Sequence, residues 1–114
     1  MSLPKDRAER IRHLNDVART AMGVASRLIQ TQGFNALPVA DQSALREKVE
    51  LFNTFNQKND PWNEHDFGAV EHNGHCVFWK IDYYSRQNSD YGSEDPSDPS
   101  RTIRVLTLML RDEY

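Results

Sequence analysis

One cysteine, five glycines and five prolines stand among the 114 residues. A lone Cys76 excludes the disulfide framework that holds many small secreted domains together. No apolar run approaches the roughly 18 residues that a membrane-spanning helix needs. The opening segment MSLPKDRAER contains no apolar stretch of the kind found in a secretory leader. Hydrophobic residues reach only 38%, with a mean hydropathy of -0.76. One domain over 1–114 is therefore expected, soluble and cytoplasmic, with a small core carried by a few aromatics.

Positive charge is also scarce, since the formal net charge is -3. Residues 1–57 hold eight Lys/Arg against six Asp/Glu, whereas residues 58–114 hold six against eleven. Aromatics lean the same way, because only Phe34 of the eleven precedes residue 50. An acidic chain gains little from phosphate neutralisation, which drives most nucleic-acid affinity. The one basic stretch, Lys5, Arg7, Arg10, Arg12 and Arg19, offers a route to nucleic acid that binding steeply dependent on salt would reveal. Its competing reading is a solvated face of a mixed-charge helix.

Periodicity organises the chain. Residues 5–22 predict an amphipathic helix with Ile11, Leu14, Ala18 and Ala21 on its apolar side, Val17 beside them, Pro4 near its start and Gly23 as its stop. Residues 24–31 fit either a continued helix or a strand. Residues 39–52 predict a second helix, with Leu45, Val49 and Phe52 as its stripe. NDPWN (59–63) is turn chemistry. Residues 66–72 and 75–84 flank Asn73-Gly74, a strong short hairpin signal of type I′. In the second arm His75, Val77, Trp79, Ile81 and Tyr83 share one face, expected to meet the core, and Cys76, Phe78, Lys80, Asp82 and Tyr84 share the other. Residues 85–100 form a polar connection long enough to be either functional or disordered. Residues 102–111 are apolar on both sides of the pleat, which fits a central strand. The expected class is α+β: two helices on a small antiparallel sheet, with the hairpin 66–84 central and the C-terminal strand beside it.

Four stretches carry a further signal: NDPWNEHDFGAVE (59–71), FWKIDYY (78–84), YGSEDPSDP (91–99) and RVLTLMLRDEY (104–114). Together they resemble a family of small bacterial proteins known as a domain of unknown function. Residues 13–37 resemble it more loosely. Asn63 stands where glycine is common in that family, and Ser85 where an aspartate often follows the paired tyrosines. The resemblance implies no activity. It implies a setting among accessory genes of mobile genetic elements, and it favours a strand at 24–31.

Four constellations invite chemistry. His65, Asp66, His72 and His75 lie on or beside the hairpin, and His72 should oppose His75 across the turn, so a divalent Zn, Mn or Fe could be shared. The competing reading is loop capping by Asn, Asp and Glu side chains. Asp60 or Asp66 with Lys80 resembles a metal-dependent nuclease, but Phe78 occupies the position where an acid is needed. Cys76 lacks a base, because His75 points to the opposite face of the strand. Finally, Trp62, Trp79, Tyr83, Tyr84 and Tyr91 surround an acidic segment, and Trp and Tyr are enriched at binding hot spots.

The favoured reading is a non-enzymatic accessory or inhibitory protein that needs no cofactor. It would contact a protein partner through Trp62, Glu64, Tyr84, Tyr91, Asp95 and Asp98. The alternative is a metal-dependent hydrolase or phosphoesterase using His65, Asp66, His72 and His75, with a metal-activated water and Glu64 as base.

Overall fold

The computed structural model describes residues 6–114. Lys5 of the basic stretch and Pro4 of the predicted helix start lie outside the described residues. In chain order the elements are α1 (Arg7–Thr20), β1 (Arg27–Gln30), α2 (Gln32–Asn35), α3 (Val39–Glu50), β2 (Phe67–His72), β3 (His75–Ser85), β4 (Thr102–Leu110) and a closing 3-10 turn, Arg111–Glu113. The strands form one sheet in the order β1-β4-β3-β2. The class is α+β.

The hairpin folds as its turn dictates. Asn73 and Gly74 both take positive φ, 52° and 79°, as a type I′ turn requires. That fixes the register from His72↔His75 to Phe67↔Lys80. Val77, Trp79 and Ile81 then point inward and are buried, with Trp79 wholly so. The indole of Trp79 lies flat against the backbone of Gly68: a Cβ there would come within 2.5 Å of Nε1 and 2.8 Å of Phe52 Cζ. Phe52 meets the indole edge-on at 5.4 Å. Phe34, Leu45, Val49, Leu106 and Leu108 complete this core beneath α1 and α3. Each fully buried large apolar side chain contributes roughly 1.5–3 kcal/mol.

Three expectations change. β4 pairs antiparallel with β3 but parallel with β1, through Arg27↔Val105 to Gln30↔Leu108, so the sheet is mixed rather than wholly antiparallel. The chain between β1 and β4 includes α3 and the whole hairpin, a connection long enough to bring β4 back in the same direction. The sheet's interior is β3 and β4, with β2 at one edge. A third, one-turn helix, α2, follows β1 directly, capped by Thr31 Oγ1 accepting from Phe34 N at 3.3 Å.

The third change is the face that α1 buries. Ile11, Asn15, Ala18 and Arg19 are buried, while Val17 is 40% exposed. Ile11 and Ala18 are buried as expected, and two polar residues join them because the fold supplies partners for each, although Arg19 Nε is left without one. Asn15 Nδ2 donates to Glu64 O at 2.9 Å and to Tyr83 Oη at 2.7 Å. Arg19 Nη1 donates to the carbonyls of Val49, Glu50 and Phe52 at 2.9–3.1 Å. These carbonyls cluster at the C-terminal end of α3, where backbone acceptors lack helical donors and a cation is favoured.

Candidate functional site

The residues singled out in the sequence fall into four places. The first is the loop 60–66 beneath α1. Asp60 is buried and its Oδ1 accepts from the amides of Glu64 (2.9 Å) and His65 (3.1 Å). Asn63 and His65 both sit at positive φ, 57° and 58°. Asparagine is among the side chains that best tolerate that region.

α1 grips this loop along its length. Arg12 Nη1 donates to Asn63 O at 3.1 Å, Asn15 to Glu64 O, and His65 Nδ1 lies 2.8 Å from Asp16 Oδ1. A carboxylate can only accept, so Nδ1 carries the proton in that bond. The His65 ring stacks on Phe55 at 3.6 Å and 2°. Glu64 Oε1 accepts from Tyr83 Oη at 2.9 Å, and Arg104 Nε donates to Asn15 Oδ1 at 2.7 Å.

Burial in this network pushes the Tyr83 phenol far above its ordinary range, so it stays a neutral donor. Burial also lowers the Arg104 guanidinium. The half-buried Asp66 carboxyl is raised, first by burial and then by the charge of Glu64. Asp60, Glu64, Asp16 and the His65 imidazole are each engaged with the protein itself. Their effect is to hold one loop rigid, and that loop presents Trp62 at 78% exposure.

The second place is the hairpin turn. His72 and His75 oppose one another as expected, and their Nε2 atoms lie 3.7 and 3.5 Å from the carboxylate of Asp41 on α3. Asn73 Nδ2 reaches the same carboxylate at 3.4 Å. His65 and Asp66 lie at the far end of β2, so the four metal candidates split into two separate groups. Among the described residues no set of three or more His, Cys, Asp or Glu is arranged to hold a metal ion.

The third place is the sheet face that carries no helix. Tyr84 lies there with Asp82, Lys80 and Ile103 around a shallow groove. Lys80 Nζ and Asp82 Oδ2 pair at 2.9 Å, and that hydrogen bond raises the Lys80 ammonium. Phe67 and Phe78 pack edge to face at 5.2 Å, with Tyr114 against both. Cys76 is on this side too, partly buried. Tyr84 and Glu64 are thus on opposite sides of the sheet.

The fourth place is the connection 85–100. It folds back on β3 through Ser85 N to Tyr91 O and Ser93 N to Tyr83 O. Its DPS-DPS run makes the same turn twice. Asp95 Oδ1 accepts from Ser97 N and Oγ, and Asp98 Oδ1 from Ser100 N and Oγ. The Ser97 hydroxyl is the main cause of the lowered Asp95 carboxyl. Arg7 lies 3.6 Å from Asp95. Of the described N-terminal arginines, Arg7, Arg12 and Arg19 therefore have partners within the protein.

A family described as a protein of unknown function, DUF3768, matches residues 30–113. The chain belongs to it. The DUF3768 match spans α2 through the closing turn, and so covers three of the four stretches quoted above in full and the fourth up to Glu113. α1 precedes it, yet α1 supplies the bonds that hold residues 63–65 of the family's loop. No curated protein and no solved structure matches the chain. No helix among the described residues is long and apolar enough to cross a membrane.

Sequence reasoning missed Asn15, Asp16, Arg19, Asp41 and Arg104. A polar residue inside a helix or a strand gives no sign of whether its partner will arrive through the fold. One signal was present: Asn15 interrupts the apolar repeat four residues from Ile11, where a buried position is expected.

Proposed function

We propose that this DUF3768 protein is a non-enzymatic accessory or inhibitory protein that acts by contact with a protein partner. The observation that carries the reading is Trp62, a large aromatic left in water on a loop fixed by Asp60, α1 and two residues of positive φ. A rigid exposed indole loses little entropy when it docks, and tryptophan is the residue most enriched among binding anchors. Tyr91, 67% exposed on the folded-back connection, and the acidic Asp95 and Asp98 belong to the same reading. The setting in a mobile genetic element comes from the family resemblance.

The test is affinity capture with the native protein and with the Trp62→Ala, Tyr91→Ala double variant. The expected result is a stoichiometric partner held by the native chain and lost from the variant, with thermal unfolding unchanged. Equal capture by both, or no partner at all, overturns the proposal. Of the His65, Asp66, His72 and His75 set of the metal-dependent hydrolase reading, only His72 and His75 lie together. Zn- or Mn-dependent phosphoester hydrolysis abolished by His72→Ala would establish that reading, and absence of metal uptake would end it.

A further inference from the structure

A second groove, of about 440 Å³, lies where the turn after α1 passes the start of β4. Its charged lining is Arg27, Arg86 and Arg104, with no aspartate or glutamate among the residues that form it. That is unusual on a chain of net charge -3. Two of these cations are poorly matched within the protein, and the third, Arg104, has neutral hydrogen-bond partners and the Tyr83 ring at 5.1 Å but no ion pair. Arg27 is exposed and has no ion pair or hydrogen bond from its side chain among the described residues. Arg86 gives only Nε, to Pro99 O at 3.0 Å, which leaves its terminal nitrogens open. Arg104 is 6% exposed, donates to Asn15 Oδ1 and to Pro96 O, and makes no ion pair. Buried charges are normally paired, so a cation at the floor of a groove without a carboxylate is a standing attraction for one.

The same groove has an apolar wall. Leu14, Val17 and Val24 line it, and Val24 is 91% exposed. Arg27 and Ile103 also line the shallow groove on the helix-free sheet face, so the two depressions adjoin at this corner.

We propose that this groove binds a short acidic peptide segment of a partner protein, with its carboxylates on Arg27, Arg86 and Arg104 and its apolar side chains against Val17 and Val24. Two features favour a peptide over nucleic acid. The chain's net charge of -3 opposes a long polyanion that runs beyond the groove, and an exposed valine wall offers nothing to a phosphate backbone. A carboxylate matches the planar guanidinium fork. The groove is separate from the Trp62 loop, so this inference stands or falls independently of the proposed function.

The test is selection of a displayed random dodecapeptide library on the intact protein, with counter-selection on the Arg27→Glu, Arg86→Glu variant. Both side chains are at the surface, so the variant should unfold at the native temperature, which circular dichroism verifies. Peptides that survive should combine two or more Asp/Glu with Val, Ile, Leu or Phe. By fluorescence polarisation each should bind the variant at least about tenfold more weakly, since two attractions become repulsions. Val24→Asp should weaken the same peptides. Failure to recover peptides that distinguish the two proteins overturns the proposal, as does recovery of neutral ones. Displacement by an equal concentration of oligo-dT or of inorganic phosphate also overturns it, in favour of a nucleic-acid or a simple anion site.

Discussion

Replacing Arg19 with methionine tests the most consequential buried contact in the fold. The guanidinium is almost wholly enclosed, caps three carbonyls at the end of α3, pairs with Asp16 at 3.0 Å and lies 5.3 Å from the Trp79 ring centre. Methionine refills most of the aliphatic volume but donates nothing. Val49 O then keeps only the longer bond from Phe52 N, at 3.2 Å, while Glu50 O and Phe52 O recover part of their loss from water. Stranding buried acceptors costs about 1–3 kcal/mol each at full burial, and the lost cation–π contact about 1 kcal/mol. Asp16 keeps His65 and is partly solvated, so it adds little. The sum is about 3–4 kcal/mol, a large share of the roughly 5–15 kcal/mol that holds a small domain together. In urea, with a slope near 1.5 kcal/mol per M, the midpoint should fall by about 2 M. Arg19→Lys keeps the charge but not the fork, and should lose about half as much. Equilibrium unfolding followed by far-UV circular dichroism measures both. A loss below about 1 kcal/mol for Arg19→Met would show that α3 closes without this cap and that the side chain merely fills space.

Other perturbations follow from the same geometry. Gly68→Ala drives a methyl into the Trp79 indole and should cost about 1–3 kcal/mol, read as a lower melting temperature. Asp66→Asn should raise the melting temperature at pH 7, because burial has lifted the native carboxyl above its unfolded value. Stability held by its protonated form is present below that unfolded value and lost as pH rises through the folded one, so the gain should vanish in acid. Glu113→Gln should do the reverse. Thr31 and the amides of Leu110 and Gly33 hold the Glu113 carboxylate below its ordinary range, so its contribution is present at neutral pH and lost as pH falls through the folded value. Trp62→Ala should change stability by no more than about 0.5 kcal/mol, as expected for an exposed side chain.

The hairpin was legible because Asn73-Gly74 demands one turn and the period of two then places Trp79 inward without further information. β4 was legible for a similar reason, since TIRVLTLML has no polar face to give to water. The face of α1 was only partly legible: Ile11 and Ala18 are buried as expected, but Asn15 and Arg19 join them. Hydrophobic periodicity assigns Val17 inward and Arg19 outward, and only the three carbonyls of a later helix reverse that order. The separation of His65 from His72 was legible, because an extended run between them spans roughly 20 Å; what spacing could not show is that Asp41 of α3 would meet His72 and His75. The groove around Arg104 joins residues from three distant stretches of chain and has no local signature at all.

The position of β4 has a consequence for assembly. It is the last strand in the order of the chain and the one that both β1 and β3 require. Until Thr102–Leu110 is available, β1 is a four-residue strand without a neighbour, and the inner edge of β3 is bare. Every earlier segment therefore waits on a late one, and Arg27 must find Val105 across nearly the whole sequence. Such distant pairings slow folding and prolong the exposure of sticky strand edges. A nascent DUF3768 chain passes through an interval in which it is all hairpin and helix with no sheet to join them. Protection during that interval, by a chaperone or by an early partner, would govern how much of it survives to function.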